Sequence, residues 1–402
     1  MKVLMLGWEL PPHNSGGLGV ACYQLCKALS KKAVDIEFLL PYKAEHNIDF
    51  MKVTPVQPQG IAEIIASGIA YDSYKYVKED GSVEWHDIFS QQQMYENAVA
   101  KLAETREFDI VHAHDWLTFR AALRVKERLH CPIILHVHSV ESDRAGGAPG
   151  NPLVREIEET SFHLADRIVA VSAHTKNTII RDYGIPDEKI EVIHNSIDPY
   201  DIVPSDDANA YRYLAALKAQ GYRVVVNIGR LTIQKGLPNL LEAAKEVVAH
   251  FPKTMFLIVG SGEQYYELIE QAARLGIAKN VIFTGFQRGK QWRDAFTIGD
   301  LFVMPSISEP FGLTPLEAIG YGTPALISKQ SGVSEVIRNC LKVDFWDINE
   351  MANKITAVMQ SDALRDELHA NSYKEFSKLS WDTAADAITN VYGRYAPIGA
   401  AA

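Results

Sequence analysis

Several things are scarce in this chain of 402 residues, and each scarcity removes a class of function. Basic residues are outnumbered: 40 Lys and Arg face 50 Asp and Glu, a formal net charge of −10. A chain that neutralises phosphates for its main task needs the opposite balance, so nucleic acid is not an expected partner. The same deficit argues against docking on an anionic membrane, so a membrane partner is not expected. There are four cysteines, at 22, 26, 131 and 340, with neither Cys-x-x-Cys nor a Cys/His set at zinc spacing. Their expected state is reduced and buried, with Cys22 and Cys26 on one helix face. No segment approaches the ~18 consecutive apolar residues of a membrane span. The opening MKVLMLGWE holds too short an apolar run for a signal peptide. The expectation is a soluble, cytoplasmic protein. Gly-x-Gly-x-x-Gly is absent as well, which sets aside the dinucleotide fingerprint.

What is present in quantity is short, β-branched apolar runs. They recur as VLML (3–6), IEFLL (36–40), IVHAH (110–114), IILHVH (133–138), RIVAVS (167–172) and IEVIHN (190–195). A second series follows: VVVNIG (224–229), MFLIVG (255–260), VIFTG (281–285), LFVMP (301–305) and ALIS (325–328). Continuous rather than alternating apolar runs predict parallel strands covered on both faces. Helical patterns between them, such as 18–32 and 237–251, predict an α/β fold. The series breaks from Ser196 to about Tyr222, in a stretch opening with prolines and acids. The expected organisation is two doubly wound, Rossmann-like domains, 1–200 and 201–380, facing each other across a cleft. The last helical stretch, 381–395, packs on the second domain or crosses back to the first; periodicity leaves both open. Ligands in such sheets bind beyond the carboxyl ends of the strands, so the chemistry is sought there.

At those ends stand four groups of residues. Gly16, Gly17 and Gly19 sit where the first strand feeds a helix, a place where backbone N–H groups meet an anion. A tight turn alone also explains them. HAHDW (112–116) and LHVHS (135–139) place Asp115 and His138 on one lip. His112, His114, His136 and His138 alternate along two strands and share a face, so a metal is one reading; no carboxylate or Cys set accompanies them. In NIGRLTIQKG (227–236), Arg230 and Lys235 converge at a helix start, as the charge developing on a diphosphate leaving group requires. Finally, SEPFGLTPLEA (308–318) holds two glutamates. Thr314-Pro315-Leu316-Glu317 has the pattern of a capping box, with Thr314 as N-cap, which gives Glu317 a structural reading. Glu309, before the cap on a Pro-Phe-Gly turn, has none.

Together these residues resemble one family, over nearly the whole chain. SGGLG, HAHDW, HVHS, VSAHTK, VIHNSID, NIGRLTIQKG, VGSGE, Gly285-Phe286 and the Glu309-x7-Glu317 stretch are similar to the retaining, nucleotide-sugar-dependent glycosyltransferases of GT-B fold, family 4, on the glycogen/starch synthase-like side. The resemblance implies that Arg230 and Lys235 hold the donor diphosphate with Gly16, Gly17 and Thr314. It implies that Glu309 and the amides of Phe311, Gly312 and Leu313 grip the donor sugar. Glu317 would take the ribose and Phe286 would lie near the base. His138 would sit by the transferred sugar, with Asp115 and Glu9 on the acceptor side. The two glutamates are then not an acid/base pair, because in this family the leaving phosphate takes the acceptor proton on the same face of the sugar. No metal or other cofactor is implied, in keeping with the absence of Asp-x-Asp. The expected partners are a nucleotide-sugar donor, ADP- or UDP-glucose, and a carbohydrate acceptor such as an α-glucan. Two departures stand out: Asn14-Ser15-Gly16-Gly17 replaces the Lys-x-Gly-Gly of bacterial glycogen synthases, and the second glutamate, which they lack, is present. Transfer to a small or lipid-linked acceptor, a nucleotide-sugar epimerase and a non-catalytic sugar-nucleotide binder are the competing readings.

Overall fold

A computed structural model describes residues 1–12, 16–56, 61–67, 73–203 and 207–396. Asn14 and Ser15 of the N-terminal loop lie outside the described residues. The chain divides into two compact units. One comprises Met1–Glu141, Gly150–Ser196 and Trp381–Ala402, the other Ser142–Pro149 and Ile197–Ser380.

The first unit is built on a seven-stranded sheet. Across it run Ile190–Val192, Arg167–Ala170, Ile133–Val137, Ile110–His114, Lys2–Leu6, Asp35–Leu40 and Lys52–Pro55. All neighbours are parallel. Numbered along the chain within the sheet, the order is 3-2-1-4-5-6-7, so strand order reverses between Lys2–Leu6 and Ile110–His114. The central strands are buried on both faces, which is why their sequences do not alternate. A separate antiparallel sheet of Ile61–Ser67, Ser73–Lys78 and Val83–Asp87 was not anticipated.

The helix Trp381–Tyr392 belongs to this unit. Its Trp381, Ala385, Ile388, Val391 and Tyr392 are buried with Leu25 and Leu29 of the helix Gly17–Ser30. Lys31–Asp382 at 3.1 Å and Lys32–Asp386 at 2.6 Å pair the two helices at the surface. Burying five such side chains contributes roughly 1.5–3 kcal/mol for each large one. This burial resolves the alternative left open by periodicity.

The second unit repeats the plan with six parallel strands. Their order is Val281–Phe283, Thr254–Val259, Arg223–Ile228, Leu301–Met304, Ala325–Ser328 and Leu341–Val343. The order along the chain is again 3-2-1-4-5-6, with reversal between Arg223–Ile228 and Leu301–Met304. Crevices form at such reversals, beyond the strands' carboxyl ends. In each unit most of the residues singled out above follow the two strands that flank the reversal, while His138 follows Ile133–Val137 and Phe286 follows Val281–Phe283.

Candidate active site

In the second unit, the strand Arg223–Ile228 leads through Gly229 and Arg230 to a single 3-10 turn, Ile233–Lys235. Gly236, at φ 64°, then starts the helix Leu237–His250. A Cβ there would stand 2.2 Å from the Pro305 carbonyl oxygen, so the turn carrying Lys235 is pressed against the strand end before Glu309. Lys235 Nζ lies 2.6 Å from Glu309 Oε2, which also accepts from Ser306 Oγ at 2.9 Å. The backbone of Glu309 is pinned too: its N–H donates to Gln330 O and its carbonyl accepts from Gly332 N, both at 2.9 Å. Glu309 is therefore a buried carboxylate whose Oε2 is engaged and whose charge is met by Lys235. Arg230 is exposed and makes no hydrogen bond or ion pair with a described residue. It is the cation left uncompensated at this strand end.

The capping box at Thr314 does not form. Leu313 already has helical angles (φ −79°, ψ −32°) and is the N-cap residue without a side-chain cap; the helix runs Thr314–Gly320. Thr314 Oγ1 instead approaches Met304 Sδ at 3.9 Å. Glu317 thus sits one position too far along to reach back, and Pro315 at the second helical position shifts with it. The reason lies at Gly312, whose φ of 95° turns the chain so that Leu313 enters the helix directly. The structural reading of Glu317 falls away. Its carboxyl has no hydrogen-bond partner among the described residues, and burial pushes its pKa up to about 7. The N–H groups of Gly312, Leu313 and Thr314 likewise donate to no described residue, while Phe311 is buried and its carbonyl accepts from Val333 N at 2.7 Å. Phe286 is 60% exposed, with the Arg288 guanidinium 5.1 Å over its ring.

In the first unit, Asp115 follows the strand Ile110–His114 with φ 58° and ψ 168°, angles almost reserved for glycine. Several bonds hold it there. Its N–H donates to His136 O (3.0 Å), and its carbonyl accepts from Thr118 N and Oγ1, both at 3.0 Å. Its Oδ1 accepts from the N–H groups of His138 (2.6 Å) and Ser139 (3.3 Å). Asp115 thereby ties HAHDW to LHVHS, using its carboxylate on backbone rather than leaving it free as a base. Gly16 caps the helix Gly17–Ser30, and its N–H donates to Glu9 Oε2 at 2.8 Å. The helix start expected to face an anion holds the chain's own carboxylate, on the side assigned to the acceptor.

Register explains the four histidines. His114 is paired with His136 across the sheet, and His112 is paired with Met5 on the other side. Alternate residues then stack the rings on one face, under the helices Gly17–Ser30 and Trp381–Tyr392. Ring centroids of His112, His114 and His136 lie 4.7–5.3 Å apart at 15–27°, and His136 and His138 at 4.5 Å and 16°. Ring nitrogens of His112, His114 and His136 fall within 4.8 Å of one another, as do those of His114 and His138 with Cys22 Sγ. A nitrogen lone pair lies in its ring plane, so stacked rings aim their lone pairs side by side rather than at one point. The geometry of this stack fits a hydrogen-bonded core better than a metal cage. Burial pushes His138 down to about 3 and holds the other three well below the usual imidazole range, so all four are neutral. Burial also pushes the Cys22 thiol well up.

Sequence reasoning missed the segment Ser142–Pro149, which belongs to the second unit although it follows LHVHS. Buried Asp143 accepts from Ser308 Oγ, next to Glu309, and Gly146 at φ 64° lies against Ile233 and Ile307. The glycine-rich run RAGGAPG was the available signal. Met5 and Tyr392, which end the histidine pairs, carried no signal at all.

Two Rossmann-like units, each with charged residues at its strand-order reversal, define a protein of GT-B architecture. Comparison with known proteins is more specific. Residues 15–201 match the model of Glycosyltransferase Family 4, and residues 215–375 match that of Glycosyl transferases group 1. The chain belongs to this family of retaining, nucleotide-sugar-dependent glycosyltransferases. It is 27% identical over 407 residues to an uncharacterized glycosyltransferase of Methanocaldococcus jannaschii, covering 98% of each chain. It is 26% identical over 402 residues to glycogen synthase of Mycobacterium tuberculosis, covering 98% of this chain and 94% of the other. Among solved structures, Anabaena HepE in complex with UDP and glucose superposes with a TM-score of 0.74 at 20% identity, over 98% of this chain and 100% of that one.

Proposed function

We propose that this enzyme moves glucose from a nucleoside diphosphate glucose, ADP- or UDP-linked, to the end of an α-glucan with retention of configuration. The observation that supports this reading most is the unpartnered set Arg230, Glu317 and the N–H groups of Gly312 to Thr314 around the Lys235–Glu309 pair. Cations stabilise the charge that builds on the departing diphosphate. Lys235, aimed by Glu309, and Arg230 supply them, and Gly17 and Thr314 add donors, with Gly16 holding the loop through Glu9. Glu309 and the amides after Phe311 take sugar hydroxyls, Glu317 accepts from the ribose, and Phe286 lies by the base. His138 attends the transferred sugar; Glu9 and Asp115 serve the acceptor side, Asp115 by fixing the backbone at His138. As the family resemblance implies, the leaving phosphate takes the acceptor proton on the same face of the sugar. The glucan assignment leans on likeness to a glycogen synthase along almost the full length of both chains. Incubation with labelled ADP- and UDP-glucose, each with glycogen, maltooligosaccharides, sugar phosphates or inositol phosphate, tests it. Growth of the oligosaccharide with one donor is the expected outcome. Transfer only to a small phosphorylated acceptor, or epimerised donor without transfer, would overturn it.

A further inference from the structure

The four stacked imidazoles form two separate hydrogen-bonded pairs, and the pairs end on chemically different atoms. His112 Nδ1 meets Tyr392 Oη at 2.6 Å, and His112 Nε2 meets His136 Nδ1 at 3.1 Å. A hydroxyl donates or accepts, so this pair can carry its protons in either direction. The other pair is constrained. His114 Nδ1 lies 3.0 Å from His138 Nε2, and His114 Nε2 lies 3.1 Å from Met5 Sδ. A thioether has no proton and can only accept.

That single fact propagates. His114 Nε2 must carry a hydrogen to use Met5. His114 is wholly buried and neutral, so its Nδ1 is a bare lone pair. His138 Nε2 must then donate to it. His138 is neutral as well, so its remaining nitrogen, Nδ1, carries no hydrogen. A second observation agrees: His138 Nδ1 is shielded from water and has no hydrogen-bond partner among the described residues. Orphaned buried N–H groups are rarer than under-satisfied acceptors, so an unfilled position there favours the lone pair.

We infer that Met5 is a positioning residue: through His114, its thioether holds His138 in the Nε2–H tautomer and leaves Nδ1 as an unfilled acceptor. What that acceptor does rests on the proposed glucosyl transfer, in which a hydroxyl of the transferred sugar fills it once donor binding uncovers the atom. The tautomer itself does not depend on that reading. Met5 lies on the strand Lys2–Leu6, fully buried and two residues before Gly7.

The test is two-bond nitrogen–proton NMR on protein labelled with ¹⁵N-histidine, without substrate, using His138→Asn and His114→Asn spectra for assignment. In the wild type, Nδ1 of both His114 and His138 should give the shift of an unprotonated nitrogen. Met5→Leu keeps volume while removing the acceptor. The orphaned Nε2–H of His114 then becomes the costly state, so the pair should invert: His114 Nδ1–H donates to His138 Nε2, and His138 carries its hydrogen on Nδ1. An Nδ1–H on His138 in the wild type, or an unchanged His138 tautomer in a folded Met5→Leu, overturns the inference. The wild-type spectrum decides the first point even if the variant fails to fold. Transfer assays separate the two claims. Inversion with kcat reduced roughly tenfold, as for one lost hydrogen bond, supports both. Inversion with kcat unchanged upholds the role of Met5 and overturns that of His138 in transfer.

Discussion

At the scale of single residues, the two glutamates eight positions apart behave as opposites. Glu309 Oε2 is engaged twice, by Lys235 and Ser306, whereas Glu317 has no partner among the described residues and is raised to about 7. A carboxyl whose folded pKa exceeds its unfolded value of 4.5 costs nothing relative to a neutral group below pH 4.5. The burden grows as pH rises from 4.5 to about 7 and is complete above that. Glu317→Gln should therefore match the wild type in stability near pH 4.5 and exceed it at pH 8 by about 1–3 kcal/mol, read as a higher melting temperature. If the ribose binds the carboxylate, donor affinity should rise through pH 7 in the wild type and stay flat in the variant. Calorimetric titration of the donor at pH 6 and 8 reads this directly; flat wild-type affinity would remove Glu317 from the donor site. The Lys235–Glu309 pair needs a cycle, because Lys235→Ala removes a catalytic cation and also strands a buried carboxylate. Lys235→Ala should lower kcat by roughly 10²–10³ and lower the melting temperature. Adding Glu309→Gln should restore the melting temperature without restoring turnover. Recovery of turnover in the double variant would mean that Lys235 acts only by neutralising Glu309.

At the scale of elements, legibility followed burial. Strands covered on both faces, such as IIL HV at Ile133–Val137, read as apolar runs and were found. The antiparallel strands Ser73–Lys78 and Val83–Asp87, SYKYVK and VEWHD, alternate and carry charge on an open face, so no apolar run marked them. The site showed the same division. Side chains at strand ends were legible because fold topology places them. The Thr314 cap misled because sequence shows the residue types of a capping box but not the backbone angle at Gly312 that starts the helix early. Asp115 was legible as a strand-end residue but not as a strained one. Contacts between distant segments, such as Asp143 with Ser308, have no local signature. A prediction at this scale concerns Gly236. With φ of 64° and a prospective Cβ 2.2 Å from the Pro305 carbonyl, Gly236→Ala must either displace the Ile233–Lys235 turn or the strand end it touches. The expected result is a loss of about 1–3 kcal/mol together with a raised KM for the donor, since Lys235 moves with the turn. Unchanged donor KM would show that this turn does not place Lys235.

At the scale of the whole molecule, the chain begins and ends in the same unit, because Trp381–Tyr392 returns to the unit that Met1 starts. That helix covers the face on which the histidines stack, and its Tyr392 hydroxyl meets His112. Its apolar face is inserted among Leu25, Leu29 and Ile36 rather than laid over a finished surface. Removing it exposes those residues and orphans a buried imidazole nitrogen. The combined loss is on the order of 5–10 kcal/mol, from 1.5–3 kcal/mol for each large side chain. A domain's whole stability is roughly 5–15 kcal/mol, so the first unit should not survive the loss intact. The second unit has its own sheet and its own apolar core. Truncation after Ser380 should thus act selectively. Native-state hydrogen exchange should show protection collapsing in Lys2–Leu6, Ile110–His114 and Ile133–Val137 while Arg223–Ile228 and Thr254–Val259 keep theirs, as separate cooperative units require. Equal loss in both sheets would mean that the two units unfold as one and that the returning helix stabilises the molecule as a whole. Full protection in both would mean that the buried face of the helix contributes far less than its area implies.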